Sequence, residues 1–349
     1  MIPIQNLYYL LCYAWNRLPE AEELQAVSGA EFRRPLALLA HVLLRGTTRL
    51  LHQGLPLRYT ERTEELPELR GRVLLDPTLR RQLLPRGRAV CAFDELTPSS
   101  PLAGLLRGTL QVLSRSRAVP PELRRQIRAG LRRFPAAVEA LPLTATTLRL
   151  VRRERPRGLS GFLLNVCELV YRSTLPAPDT ASPARFRDFR RDEPLMARLF
   201  EQFVRNFYRL EQRQFRVSSE TIAWQAEAAT PEALALLPAM ITDTSLESPA
   251  RKIILDTKYY AAALKRHHDQ ARLISPHLYQ LYAYLQNQPM QPDQQLDQQL
   301  EGILLYPAAA QAIDLRYTLG GHPVRVVTID LNQPWEGIAA ALLGLLAER

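Results

Sequence analysis

A mixed α/β (α+β) fold is predicted from three observations. Beyond about residue 187, apolar runs of strand length alternate with amphipathic helical stretches, an order that builds a mixed sheet flanked by helices. Residues before 175 mix helical periodicity with short strands in an arginine-rich context. Between them "LPAPDTASPARF" (175 to 186) is rich in Pro, Ala and Ser, the composition of a connector. A chain of 349 residues has room for two domains. They are expected at 1–175 and 187–349, joined by a linker over 176–186.

Taken in order, the chain opens with "MIPIQNLYYLLCYAWNRL". The stretch has no basic residue ahead of its apolar part, is interrupted by Asn6 and Asn16 and lacks a small-residue cleavage site, so it predicts a buried helix and not a signal peptide. "RRPLALLAHVLLRGTTRLL" (33 to 51) has helical spacing, and "GRVLLD" and "RAVCAFDEL" read as strands. "PPELRRQIRAGLRRF" (120 to 134) starts a helix with Pro and Glu and crowds Arg124, Arg125, Arg128, Arg132 and Arg133 to one side. That face suits either a phosphate track or a solvated surface. "RRERPRG" (152 to 158) reads as a turn. A helix is expected from Glu193, with Pro194 in its first turn and Met196, Phe200, Phe203 and Phe207 on one apolar face. Strands follow at "TIAW", "AMITDTSL" and "KIILDTK", then a helix at "PHLYQLYAYLQ", a Gln-rich loop from Asn287 to Gln299, strands "GILLYP" and "VRVVTIDL", and a helix from Pro334.

Bulk composition narrows the function classes. The 46% hydrophobic content is that of a globular chain, and no run reaches the ~18 apolar residues of a membrane span. Cys12, Cys91 and Cys167 lie too far apart to suggest a disulfide framework or a thiolate zinc site, which fits a reducing, cytoplasmic setting. The net charge of +10 favours an acidic partner, nucleic acid before an anionic membrane face. Of 45 Lys plus Arg only Lys252, Lys258 and Lys265 are lysines, which leaves 42 arginines. Against that background, an ammonium at 258 points to a group whose compact charge or titratable proton matters. G-x-x-x-x-G-K-[ST], H-E-x-x-H and G-x-S-x-G are all absent, so neither P-loop nucleotide hydrolysis nor those hydrolase chemistries is expected.

The most informative stretch is "KIILDTKYY" (252 to 260). In a strand Asp256 and Lys258 project to one face and Thr257 to the other. The connection "SLESPARK" allows the preceding strand to fold back and bring Asp243 to the same patch. Two carboxylates suit Mg²⁺, which keeps waters for itself, and an adjacent lysine can orient or deprotonate an attacking water while the ion stabilises charge on a phosphodiester. The same residues also fit a cross-strand salt bridge at a sheet edge. A charge cluster at the buried end of an apolar run is nevertheless expensive unless it serves a function.

"TDTSLESPARKIILDTKYY" resembles the PD-(D/E)xK nuclease signature of the McrC family, the nuclease subunits of McrBC modification-dependent (type IV) restriction systems. Further similar blocks run through the chain in the same order: "IPIQNLYYLLCYAWNRL", "GRVLLD", "AFDEL", "FRDFRRDE", "LLPAMITD", "HLYQLYAYL" and "GILLYP". The resemblance implies a C-terminal restriction-endonuclease-like domain and an N-terminal mixed α/β domain that docks on a partner. It places the metal-binding acids on Asp243 and Asp256 and the catalytic lysine on Lys258. Thr244 stands where the related pattern usually has an apolar β-branched residue. Gln280 and Tyr284, four apart on one helix face, resemble the Q-x-x-x-Y element of RecB-like nucleases or form a polar edge of an amphipathic helix. Glu201 is where many such nucleases carry a further acid, and it equally fits a helix-surface glutamate. The implied cofactor is Mg²⁺, and the implied partners are an McrB-like AAA+ GTPase ring, which uses the GTP, and double-stranded DNA carrying modified cytosine. Alternatives are a non-cutting adaptor that activates a GTPase and holds DNA, or a stand-alone RecB-like exonuclease.

Overall fold

The structure is a computed structural model of the chain, and it describes residues 2–18, 34–55, 58–97, 100–175, 185–227, 230–259, 264–267, 270–288, 298–308 and 312–347. The chain forms two compact units, one of Met1–Arg33 with Asp188–Arg349 and one of Arg34–Arg187. Residues 2–18 therefore group with the C-terminal half, not with the segment from Arg34. Most of the expected linker (176–184) and of the Gln-rich loop (289–297) lies outside the described residues.

Helix α1 (Ile4–Ala14) is buried from Asn6 to Ala14, as its nearly unbroken apolar sequence requires. Asn6, which breaks that run, is buried and donates to the carbonyls of Leu331 and Gln333 at 2.8 Å each. It is polar because it closes two backbone carbonyls that would otherwise be buried without a donor.

The Arg34–Arg187 unit contains α2 (Pro35–Gln53), α3 (Leu75–Arg80), α4 (Pro101–Arg115), α5 (Pro121–Leu131), α6 (Ala145–Arg153) and α7 (Gly158–Ser173). Its three-stranded antiparallel sheet runs β1 (Arg58–Leu66), β3 (Ala89–Thr97), β2 (Arg72–Val73) in space. β4 (Thr174–Leu175) and β5 (Arg185–Phe186) pair with each other, so the described ends of the expected linker run side by side. "GRVLLD" is strand only at Arg72–Val73. Leu75 already opens α3, with Asp76 in its first turn where a negative charge meets the helix dipole. β1, "RYTERTEEL", escapes the apolar pattern, because its long charged side chains pair across the ladder with β3 and its neighbours: Arg62 with Glu95 and Arg88 with Glu65, each at 2.7 Å. α5 buries Leu123, Ile127 and Gly130 and leaves Arg125 and Arg128 exposed, with Arg132 and Arg133 exposed just beyond it.

The other unit is built on a six-stranded mixed sheet in the order β14, β15, β13, β10, β9, β6. Its strands are β6 (Arg216–Ser218), β9 (Thr244–Glu247), β10 (Arg251–Thr257), β13 (Gln299–Pro307), β14 (Asp314–Leu319) and β15 (His322–Ile329). β10, β13 and β15 are mutually parallel and the other three antiparallel to their neighbours. Short pairs β7 (Thr221–Ile222) with β8 (Met240–Ile241) and β11 (Leu264–His267) with β12 (Gln270–Leu273) lie outside this sheet. α8 (Glu193–Glu211), capped by the Asp192 side chain at the Leu195 amide, packs on α1, β6, β9 and β10. Its apolar residues Met196, Phe200, Phe203 and Phe207 are all essentially inaccessible. α9 (Pro231–Ala235) is one short turn, α10 (Ser275–Gln286) covers the sheet, and α11 (Trp335–Gly344) lies near β15. Ile254, Leu304, Tyr306 and Val326 form one core with Leu281, Tyr284 and Leu285 of α10. Gly302 permits that seating, since a Cβ there would stand 3.0 Å from both Leu281 and Leu285.

Candidate active site

β10 carries the site because its residues alternate. Ile254 faces the core under α10, so Asp256 and Lys258, two and four residues on, emerge on that same side at the end of the strand. Asp256 is fully buried, and Lys258 Nζ lies 2.6 Å from its Oδ2. Lys258 is thus the partner of Oδ2, while the other oxygen, Oδ1, is buried without a hydrogen-bond partner. Burial pushes the Asp256 carboxyl up to about 7, with the Asp243 charge reinforcing the rise and Lys258 opposing it. Tyr259, the next residue but one to the strand, packs edge-on to Phe200 of α8 and ties down the exit of the chain.

The expected strand "AMITDTSL" is broken where the acid sits. β8 ends at Ile241, Thr242 and Asp243 are not strand, and β9 starts at Thr244. The β9–β10 register pairs Leu255 with Thr244, and one further step sets Asp243 beside Asp256. Released from the pleat, the Asp243 carboxylate accepts from Thr257 through one oxygen, Oδ2, at 2.8 Å from the amide and 2.7 Å from the hydroxyl. Thr257, expected to face away, is thus part of the cluster. Thr244, where an apolar residue was usual, is fully buried with its hydroxyl unsatisfied.

Gln280 and Tyr284 extend the arrangement from α10. Lys258 Nζ donates to Gln280 Oε1 at 2.8 Å, Gln280 Nε2 donates to the Tyr284 hydroxyl at 2.7 Å, and that hydroxyl donates to the Ile241 carbonyl at 2.8 Å. Each donor finds one acceptor, so the lysine is held by a directed relay anchored on backbone. Glu201 of α8 belongs to the same electrostatic group: burial first, and Asp243 second, hold its carboxyl above the ordinary range, against Arg205 and Lys258. Arg205 pairs with Glu201 at 3.1 Å and donates to the Asp243 carbonyl at 2.8 Å. Its spacing of four from Glu201 was the one sequence signal for that role; nothing in the sequence marked Thr257.

All six candidates, Asp243, Asp256, Lys258, Gln280, Tyr284 and Glu201, therefore fall in one neighbourhood. Among the described residues no three His, Cys, Asp or Glu side chains converge as a closed metal cage. The donors suit instead a hard ion that retains waters: two adjacent carboxylates, one of them with a buried oxygen that has no partner. A cavity of about 540 Å³ lined by Arg251, Glu301 and Arg325 lies at the other end of β10 and includes none of these acids. The cluster lies at the end of β10, an interior strand paired with β13 on one side and β9 on the other.

No helix among the described residues is long and apolar enough to cross a membrane. Residues 4–307 match the family described as "McrBC 5-methylcytosine restriction system component". The chain is 29% identical over 350 residues to the "Type IV methyl-directed restriction enzyme EcoKMcrBC" of Escherichia coli (strain K12), covering all of this chain and 98% of that protein. A similar fold occurs in a chain of the "Refined half-complex from tetradecameric assembly of Thermococcus gammatolerans McrB AAA+ hexamers with bound McrC", with a TM-score of 0.57 at 14% identity, covering 99% of this chain and 76% of that one. With the family match spanning most of its length, the chain belongs to the McrBC restriction system component family, the one to which its motifs bear a resemblance.

Proposed function

We propose that this chain is the Mg²⁺-dependent endodeoxyribonuclease subunit of a McrBC-type complex, cutting double-stranded DNA that carries modified cytosine and stimulating GTP hydrolysis by an McrB-like AAA+ ring. The observation that carries the reading is Asp256: a fully buried carboxylate with one oxygen on Lys258 and the other without a partner, beside a second acid at the end of a strand. Asp243 and Asp256 are the residues to hold the ion, which when bound supplies Lewis-acid stabilisation of charge developing on a phosphodiester. Lys258 presents its ammonium at the same point. Gln280, itself fixed by Tyr284, orients that ammonium so that it can position the attacking water and the phosphate beside it. Arg205 keeps the Asp243 backbone in place, and Glu201 adds a third negative charge facing the site.

The partner and the substrate are carried over from the names of the relatives: one is a methyl-directed restriction enzyme, and the other belongs to an assembly of AAA+ hexamers with a bound subunit. The Arg34–Arg187 unit, with the arginines of α5 on its surface, is the segment we assign to docking on the ring. The test combines the chain with its cognate GTPase, methylated DNA, GTP and Mg²⁺. Asp256→Ala and Lys258→Ala should each lower cleavage by about 10³-fold while GTPase stimulation persists. Cutting by either variant at the wild-type rate sinks the site. Mg²⁺-free cutting sinks the cofactor, and cleavage of free DNA ends by the chain alone supports the exonuclease alternative.

A further inference from the structure

Lys252, one of only three lysines in the chain, plays no part in the chemistry above. It stands on the same side of β10 as Asp256, four residues earlier and so about 13 Å away, too far to pair with it. Its side chain is 14% exposed, and Nζ donates to Glu220 Oε2 at 3.0 Å and to Gln288 Oε1 at 2.8 Å. Glu220 Oε1 accepts from the Ser245 hydroxyl at 2.8 Å, and Ser245 Oγ lies 2.9 Å from Thr242 Oγ1. Thr242 is bound by the same short segment at every polar atom of its backbone: its amide donates to the Glu220 carbonyl at 3.0 Å, and its carbonyl accepts from the Ser219 hydroxyl at 2.7 Å. The Glu220 amide returns a bond of 3.0 Å to Thr242 Oγ1. Thr242 and Ser245 are both buried.

This network brackets Asp243. Thr242 precedes it, Ser245 follows two residues later, and both lead to one carboxylate. An aspartate outside a strand has no ladder to fix its backbone; Arg205 holds its carbonyl, and the bend before it, which turns its side chain toward Thr257 and Asp256, needs a hold of its own. We infer that Glu220 is the positioning residue for Asp243: bridging Lys252 to Ser245, it locks the Thr242–Asp243 bend and thereby sets the spacing of the two metal-binding acids. The inference rests on the nuclease reading for its consequence and on the hydrogen bonds alone for its geometry. It adds Glu220, Ser245 and Lys252 to the residues on which activity depends, although none of them touches the reacting atoms. Charge is secondary, because a glutamine at 220 can accept from Lys252 and donate to a Ser245 hydroxyl turned the other way.

The experiment follows the Thr257 amide, which donates to Asp243 Oδ2, by hydrogen exchange in the full chain without metal, and follows Mg²⁺ binding by thermal shift. Glu220→Ala should speed exchange at Thr257 toward the rate seen in Asp243→Ala and leave Ile253 to Leu255 protected. It should also raise the Mg²⁺ midpoint about tenfold, as loss of a supporting residue does. Glu220→Gln should stay close to wild type in both. If Glu220→Ala fails to fold, Ser245→Ala provides the milder break, with the same two readouts. Unchanged Thr257 exchange in whichever of the two folds overturns the inference. If Asp243→Ala itself leaves the Mg²⁺ midpoint untouched, the metal assignment fails instead, and Thr257 exchange still decides the role of Glu220.

Discussion

At its first two residues β10 carries Arg251 and Lys252, and each has complementary partners. Arg251 grips Glu301 through two nitrogens at 2.8 and 3.0 Å and the Leu346 carbonyl through a third at 2.9 Å, and Lys252 holds Glu220 and Gln288. At its last residue but one the same strand carries Asp256, more deeply buried than either, with Lys258 on one oxygen and no partner on the other. Buried charge in a structural role is satisfied by protein, because an unsatisfied ion in a low dielectric is costly. Where the same strand leaves one carboxylate oxygen bare, we propose that the missing partner is the ion of the proposed site. The contrast sets the two ends of one strand apart within seven residues.

The largest effect that can sharpen this contrast is at the satisfied end. Arg251→Met should lower stability by about 3 kcal/mol in urea unfolding, since it leaves Glu301 half-buried without its partner. A wild-type midpoint would break the comparison. At the unsatisfied end the sign reverses. The Asp256 carboxyl is raised to about 7 from an ordinary value near ~3.9, so the folded chain binds more protons than the unfolded one between those values. The stability associated with Asp256 is fully present below about pH 4 and is lost as pH rises toward 7. Asp256→Asn, in chelator, should therefore gain stability over wild type at pH 8 and almost nothing at pH 4. An equal difference at both pH values would remove the electrostatic account. Smaller again is Gln280→Ala, which frees Lys258 from its relay and should slow DNA cleavage roughly tenfold without weakening GTPase stimulation. Last, Mg²⁺ should raise the melting temperature of wild type by a few degrees and leave Asp256→Asn unmoved, read by calorimetry.

Much of this was legible in the residues themselves. The apolar periodicity of α8 and α10, the placement of Asp256 and Lys258 on one side of a strand, and the four-residue spacing of Gln280 and Tyr284 follow from helix and strand periods alone. What was not legible depended on distant partners. The stretch of β1 has no apolar alternation and is a strand through its pairing with β3, and Leu75 reads as strand until the dipole of α3 claims Asp76. The break at Thr242 and Asp243 is set by hydrogen bonds to residues more than twenty positions earlier, which no local window contains. Thr257 joined the cluster for the same reason: the freed Asp243 reaches across to it.

The seating of α1 has a consequence for how the chain is made. Its last carbonyls, at Tyr13 and Ala14, are capped by the Asn206 amide, which lies 193 residues further along from Tyr13. At translation rates of about 5–20 residues per second, this apolar helix emerges from the ribosome roughly 10 to 40 s before its resting place exists. During that interval the whole Arg34–Arg187 unit is synthesised after an apolar, uncapped segment, which marks α1 as a stretch that a holding chaperone would cover.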